Sequence, residues 1–87
     1  MIIVLCTNKN EMGRPRRDTE LLQAIAARLR DLRKERGLSQ IDVFIDTDIH
    51  VGRVEGGRTN ITVSTLSALC HRYGISLREF FDGVPFP

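Results

Sequence analysis

Glycine stops at Gly37, Gly56-Gly57, Gly74 and Gly83 cut the chain beyond Asp18 into short apolar-periodic pieces, each with a residue before it that can cap a helix. The first piece opens at Asp18 or Thr19 and runs to Arg36, with Leu22, Ile25, Leu29 and Leu32 at helical steps. Gly37 stands at its C′ position. Ser39 can cap a second helix beginning Gln40-Ile41-Asp42-Val43-Phe44, where Asp42 can reach back in a capping box. A turn at Thr47-Asp48 leads to a short segment over residues 49–55. Residues 58–63 read as an extended loop, after which Ser64 caps a helix carrying Leu66, Leu69, Cys70 and Tyr73 on one face. Ser76-Leu77-Arg78-Glu79 has the capping-box form and starts a last turn or two through Phe80-Phe81-Asp82, ahead of Gly83, Pro85 and Pro87. The expected fold is therefore all-α and compact, with five helices and no central strand.

A chain of 87 residues supports one core. Its composition, 41% hydrophobic and 28% charged, is that of a globular protein. Net charge is +2, unevenly spread: residues 1–36 carry nine Lys/Arg against five Asp/Glu, and residues 37–87 four against six. A basic front half suits a phosphate backbone, although solvated helices look the same. Cys6 and Cys70 fit no metal-ligand spacing, so no metal or disulfide framework is expected. The apolar run at residues 2–6 is far shorter than the roughly 20 residues of a membrane span and lacks signal-peptide flanks. A cytoplasmic protein without a cofactor is the expectation.

The parts are residues 1–17, an N-terminal extension; residues 18–83, the helical domain; and residues 84–87, a tail. The extension holds a β-prone run at residues 2–7 and a basic arm, Gly13-Arg14-Pro15-Arg16-Arg17. It reads either as a strand that pairs with something, a second copy included, or as a stretch upstream of a functional start at Met12. Residues Arg14, Arg16 and Arg17 suit a DNA groove and a solvated linker equally.

The pieces Leu32-Arg33-Lys34-Glu35-Arg36-Gly37-Leu38-Ser39-Gln40 and Arg53-Val54-Glu55-x-Gly57-Arg58, in this order within residues 21–83, resemble the phage-repressor and Cro-like helix-turn-helix family. The resemblance implies a lambda-repressor-like five-helix domain that binds double-stranded DNA, its third helix in the major groove. It implies a transcriptional regulator of the repressor, restriction-modification controller or antitoxin type. It also implies a phosphate contact at Gln40 and a structural ion pair between Arg33 and Glu55. Two departures fall in the motif: it is about three residues short between Gln40 and Glu55, and the large Phe44 stands where the family keeps a small residue. These fit a compact variant or a copy that keeps the fold without base reading.

Residue chemistry agrees with groove reading at His50 and Arg53, three apart on one face, since an arginine can grip guanine with two hydrogen bonds. Arg58, Thr59 and Asn60 suit backbone contacts. Arg28, Arg30, Lys34 and Arg36 can track phosphates, but such charges more often solvate a helix. His50, His71 and Cys70 lack metal partners, Cys70 reads as a buried hydrophobe rather than a nucleophile, and the glycines after Glu55 lack the lysine of a phosphate loop. Without paired carboxylates, triad or cofactor loop, an enzyme is not expected. The competing reading is a protein-interaction module, with a toxin or other protein as partner. Phe80, Phe81, Val84 and Phe86 crowd the C-terminal end, where a homodimer interface is expected for a near-palindromic operator.

Overall fold

The computed structural model describes residues 18–85, among which there are five helices and no strand: α1 Thr19–Glu35, α2 Gln40–Thr47, α3 Val51–Glu55, α4 Val63–Tyr73 and α5 Leu77–Asp82. The β-prone run, the basic arm with Arg14, Arg16 and Arg17, and Phe86 lie outside the described residues.

Local chemistry sets most of the boundaries. The Asp18 carboxylate accepts the Leu21 N–H at 3.0 Å and caps α1. Gly37, at φ +69°, ends it in the left-handed region that glycine occupies without strain. Both expected capping boxes form. Ser39 and Asp42 exchange hydrogen bonds of 3.0 and 2.9 Å at α2, and Ser76 and Glu79 exchange two of 3.0 Å at α5. Those backbone N–H groups hold the Asp42 and Glu79 carboxyls below the usual carboxylate range. One boundary corrects the sequence reading: α4 is capped by Thr62, whose hydroxyl accepts the Thr65 N–H at 3.1 Å, so Ser64 lies inside the first turn.

The amphipathic face of α1 packs on α3 and α4, α2 packs on α3 and α4, and α5 closes against α4. Their shared core takes Ile25, Leu29 and Leu32 from α1, Val43 from α2, Val51 and Val54 from α3, and Leu66, Leu69, Cys70 and Tyr73 from α4. Truncating one such side chain, for example Leu29→Ala, costs about 2–5 kcal/mol. Phe80 and Val84 complete the core, and Phe80 is fully buried. This corrects the expectation that they form an interface surface. Of that set only Phe81, half-buried, keeps described apolar area toward solvent, with its ring edge-on to Phe80 at 5.2 Å.

Arg28 of α1 and Arg36 at its C-cap hold the C-terminal ends of other helices. Arg28 donates to the Phe80 and Glu79 carbonyls at 3.3 and 3.4 Å, with its guanidinium 5.9 Å from the Phe80 ring centre. Arg36 donates to the Tyr73 carbonyl at 2.8 Å. A helix leaves its last four carbonyls unpaired at the negative end of its dipole, so both contacts satisfy an acceptor and a charge preference at once.

The Tyr73 hydroxyl is buried with no hydrogen-bond partner among the described residues. Burial, aided by the Glu55 carboxylate, pushes its pKa up to about 12. A phenol raised above its ordinary 10 contributes stability that is complete below pH 10 and is lost as pH rises through about 12. Replacing it by phenylalanine removes an unpaired polar atom, so Tyr73→Phe should match or exceed the parent by about 1 kcal/mol at neutral pH. Urea unfolding across pH 9 to 12 checks both statements, because the Phe variant should lack the alkaline decline.

Candidate nucleic-acid interface

Three residues join α2 to α3. Asp48 takes the left-handed conformation at φ 62°, and its N–H donates to the Phe44 carbonyl at 2.7 Å, closing α2 abruptly. A short polar side chain tolerates this conformation better than most. The Thr47 hydroxyl donates to the Val43 carbonyl at 2.7 Å and accepts the Ile49 N–H at 3.2 Å, which folds the turn onto the helix it leaves. Ile49 then packs against the core, and His50 stands at the N-cap of α3 without a side-chain cap bond. The imidazole lies on the Phe44 ring, centroids 4.9 Å apart.

The far end of α3 is anchored. The Glu55 carboxylate accepts from Arg33 Nε at 2.7 Å and Nη2 at 3.0 Å, a two-pronged pair, and from Gln40 Nε2 at 3.1 Å. Arg33 Nη1 donates to the Leu38 carbonyl at 2.8 Å. The paired side chains are only 9% and 3% exposed. The carboxylate holds the guanidinium charged and raises its already high pKa against the cost of burial. At Gly52 the two helices come close: a Cβ there would meet Gln40 Oε1 at 3.1 Å. The helix pair is thus one unit, its relative angle set by the turn at one end and by Glu55 at the other.

This unit is the second and third of the five helices among the described residues, with its α3 end tied to α1, and residues 29–80 match the helix-turn-helix family profile. The chain belongs to the helix-turn-helix family, of the phage-repressor and Cro type. The HTH-type transcriptional regulator DdrOP3 of Deinococcus deserti is 40% identical over 65 residues, covering 71% of this chain and 50% of that protein. The chain therefore spans about half the length of this curated relative. No solved structure matches it.

Within the helix-turn-helix, Gln40, His50 and Arg53 line one open cleft of about 340 Å³ together with Ile41, Phe44, Val51 and Gly52. Its side chains His50 and Arg53 are exposed; Gln40 points its amide nitrogen inward to Glu55. A phosphate contact by Gln40 has to compete with that bond. Beyond Gly57, the Thr59 hydroxyl donates to the Arg53 carbonyl at 3.2 Å and ties the loop to α3. Arg58 is exposed beside it, whereas Asn60 faces a different groove, next to Asp18 and Leu21. Arg30 and Lys34 lie exposed on α1, while Arg28 and Arg36 are bound to carbonyls. Among the described residues no three His, Cys, Asp or Glu side chains converge on a metal position, and no helix is long and apolar enough to cross a membrane.

Sequence reasoning missed the apolar outer face of α2, where Ile41 and Ile45 are 70% and 73% exposed beside Phe44. The signal was present. Residues 41, 43, 44 and 45 are all apolar in an eight-residue helix, and one buried stripe cannot take them all.

The anchor at Glu55 is testable. Arg33→Met and Glu55→Met should each cost about 3 kcal/mol, because each strands a buried charge. The double variant should lose clearly less than the two together. Equal additivity in denaturant unfolding would show that the two side chains do not act as a pair.

Proposed function

We propose that this protein is a non-enzymatic transcriptional regulator that binds duplex DNA through the α2–α3 unit, as a homodimer on a near-palindromic operator. The observation that carries the reading is the exposure of His50 and Arg53 on an α3 fixed at both ends, because a groove-reading helix has to present hydrogen-bonding side chains from a rigid mount. Arg53 reads a base edge, His50 contributes at the leading end, and Arg58 holds a phosphate. The name of the Deinococcus relative, a transcriptional regulator, supports the same reading.

A second reading is favoured by one observation. The outer face of α2, which forms part of the cleft, carries Ile41, Phe44 and Ile45 with Asp42, Asp48 and Asp46, the last paired with Arg72 at 2.7 Å, and the described residues hold nine Lys/Arg against ten Asp/Glu. An apolar, acidic helix face repels phosphates and suits a protein partner with apolar and basic groups. On this reading the helix-turn-helix is an interaction module, with a toxin among the partner types.

Selection from a randomised duplex pool, followed by binding at two salt concentrations, separates the readings. Specific binding predicts enrichment of a near-palindromic site. Arg53→Ala should lose about 1–3 kcal/mol on that site and little on unrelated duplex, while Arg58→Ala should weaken all sequences alike and flatten the salt slope by about one. Absence of enrichment would sink the DNA reading, and equal loss on every sequence would reduce Arg53 to a phosphate contact.

A further inference from the structure

The two ends of α3 are held by different chemistry. Glu55 closes one end with an ion pair, whereas His50 at the other makes no side-chain cap bond. Among the described residues, what the imidazole meets is the ring of Phe44 in the middle of α2, with centroids 4.9 Å apart and planes inclined by 33°. That inclination lays one ring over the other, unlike the edge-on Phe80–Phe81 pair at 90°.

Phe44 is not spent on the core. It stands outside the buried cluster that takes its neighbour Val43, and it is 37% exposed, about half the exposure of Ile41 and Ile45 on the same helix. The short connector explains why the two rings meet. The Phe44 carbonyl accepts the Asp48 N–H, Asp48 turns the chain in the left-handed conformation, and His50 follows two residues later. Both rings then line the cleft that also holds Arg53.

Ring orientation matters for recognition. A neutral imidazole carries one donor and one acceptor, and a base edge presents its own groups in a fixed pattern, so the ring has to face the groove in a particular way. An exposed histidine that is free to turn forfeits about two- to twelvefold in affinity when a partner immobilises it. A stacked aromatic neighbour can recover a factor of similar size by holding the ring beforehand. His50 and Arg53 are three positions apart, a rise of about 4.5 Å in a helix against about 3.4 Å per base pair, which suits neighbouring pairs.

We infer that Phe44 is a positioning residue for base recognition: its ring holds the His50 imidazole toward the base pair next to the one read by Arg53. This rests on the DNA-binding reading of the α2–α3 unit. In this role the base contact is made by His50, and Phe44 acts through it.

The test starts from the duplex site that the parent protein selects from a randomised pool, and measures binding to that site and to duplexes changed at one base pair each. Phe44→Leu keeps an apolar side chain without the flat face, and should bind the selected site about three- to tenfold more weakly. Its lost preference should fall on one base pair, beside the pair whose preference Arg53→Ala erases. His50→Ala should lose the same preference, and the Phe44→Leu/His50→Ala double variant no more than either alone. Phe44→Tyr, whose hydroxyl can face water at this part-exposed position, should restore binding. The salt slope should stay that of the parent, since no phosphate contact is removed. Cross-relaxation between the Phe44 and His50 ring protons should be present in the free parent protein. Its absence overturns the inference, as do a Phe44→Leu loss spread over all sequences, losses that multiply in the double variant, and a Tyr variant as weak as the Leu variant. A parent that selects no site removes the DNA-binding reading and this inference with it, a result distinct from the others because it precedes every variant.

Discussion

One guanidinium group holds the helix-turn-helix in place. Arg33 reaches from the last turn of α1 to Glu55 at the end of α3 with two hydrogen bonds and to the Leu38 carbonyl in the connector with a third. Gln40, the first residue of α2, adds its own bond to the same carboxylate. Three elements thus meet at one carboxylate. The arrangement matters because α3 has five residues, too few for a helix to persist on its own hydrogen bonds. Its conformation rests on Val51 and Val54 in the core and on Glu55 at its end. A hydrophobic contact alone would let so short a piece roll about its axis, whereas a two-pronged ion pair fixes direction as well as distance.

The same economy explains why the basic residues of α1 do not add up to a phosphate-binding face. Arg28, Arg33 and Arg36 each spend their donors on protein acceptors, two on helix-end carbonyls and one on Glu55. In a domain of this size with five helices, there are many exposed carbonyl ends for each residue of core, and arginine satisfies them at long reach without entering the interior. Among the described residues, the exposed cations that these contacts leave for an anionic ligand are Arg30, Lys34, Arg53, Arg58 and Arg78.

Features decided by neighbours in sequence were legible, and features decided by packing were not. The capping boxes at Ser39 and Ser76 and the stops at Gly37 and Gly74 follow from groups three or four residues apart, so reading the chain was enough. The start of α4 was misplaced at Ser64, because a serine and a threonine two residues apart cap equally well by type. The choice falls on Thr62 because its extended backbone lets the hydroxyl reach the Thr65 N–H, a geometry that depends on how Ile61 enters the core. The burial of Phe80 and Val84 was not legible. A cluster of aromatics near a terminus looks the same whether it covers a neighbouring helix or stays outside, and only the contact of α5 with α4 and Arg28 decides it. At the candidate site the residue types at Gln40, His50 and Arg53 were legible, while the diversion of Gln40 to Glu55 required three-dimensional proximity across fifteen positions.

The brevity of α3 also limits what a single domain can discriminate. Five residues rise about 7.5 Å, against about 3.4 Å per base pair, so the helix spans roughly two base pairs of a groove it follows. On the proposed DNA-binding reading, with about 1–3 kcal/mol at stake for each pair read, one domain commands roughly 2–6 kcal/mol of selectivity, which overlaps only the lower part of the roughly 4–10 kcal/mol that separates specific from non-specific binding. Contacts beyond α3 would widen that discrimination. They can come from duplicating the domain along the duplex or from other elements of the same domain. Phe80 and Val84 are committed to the core, so duplication has less apolar surface to work with at the C-terminal end than the composition there suggests. Among the described residues, the outer face of α2, with Ile41 and Ile45 largely exposed, offers apolar area for an association of that kind.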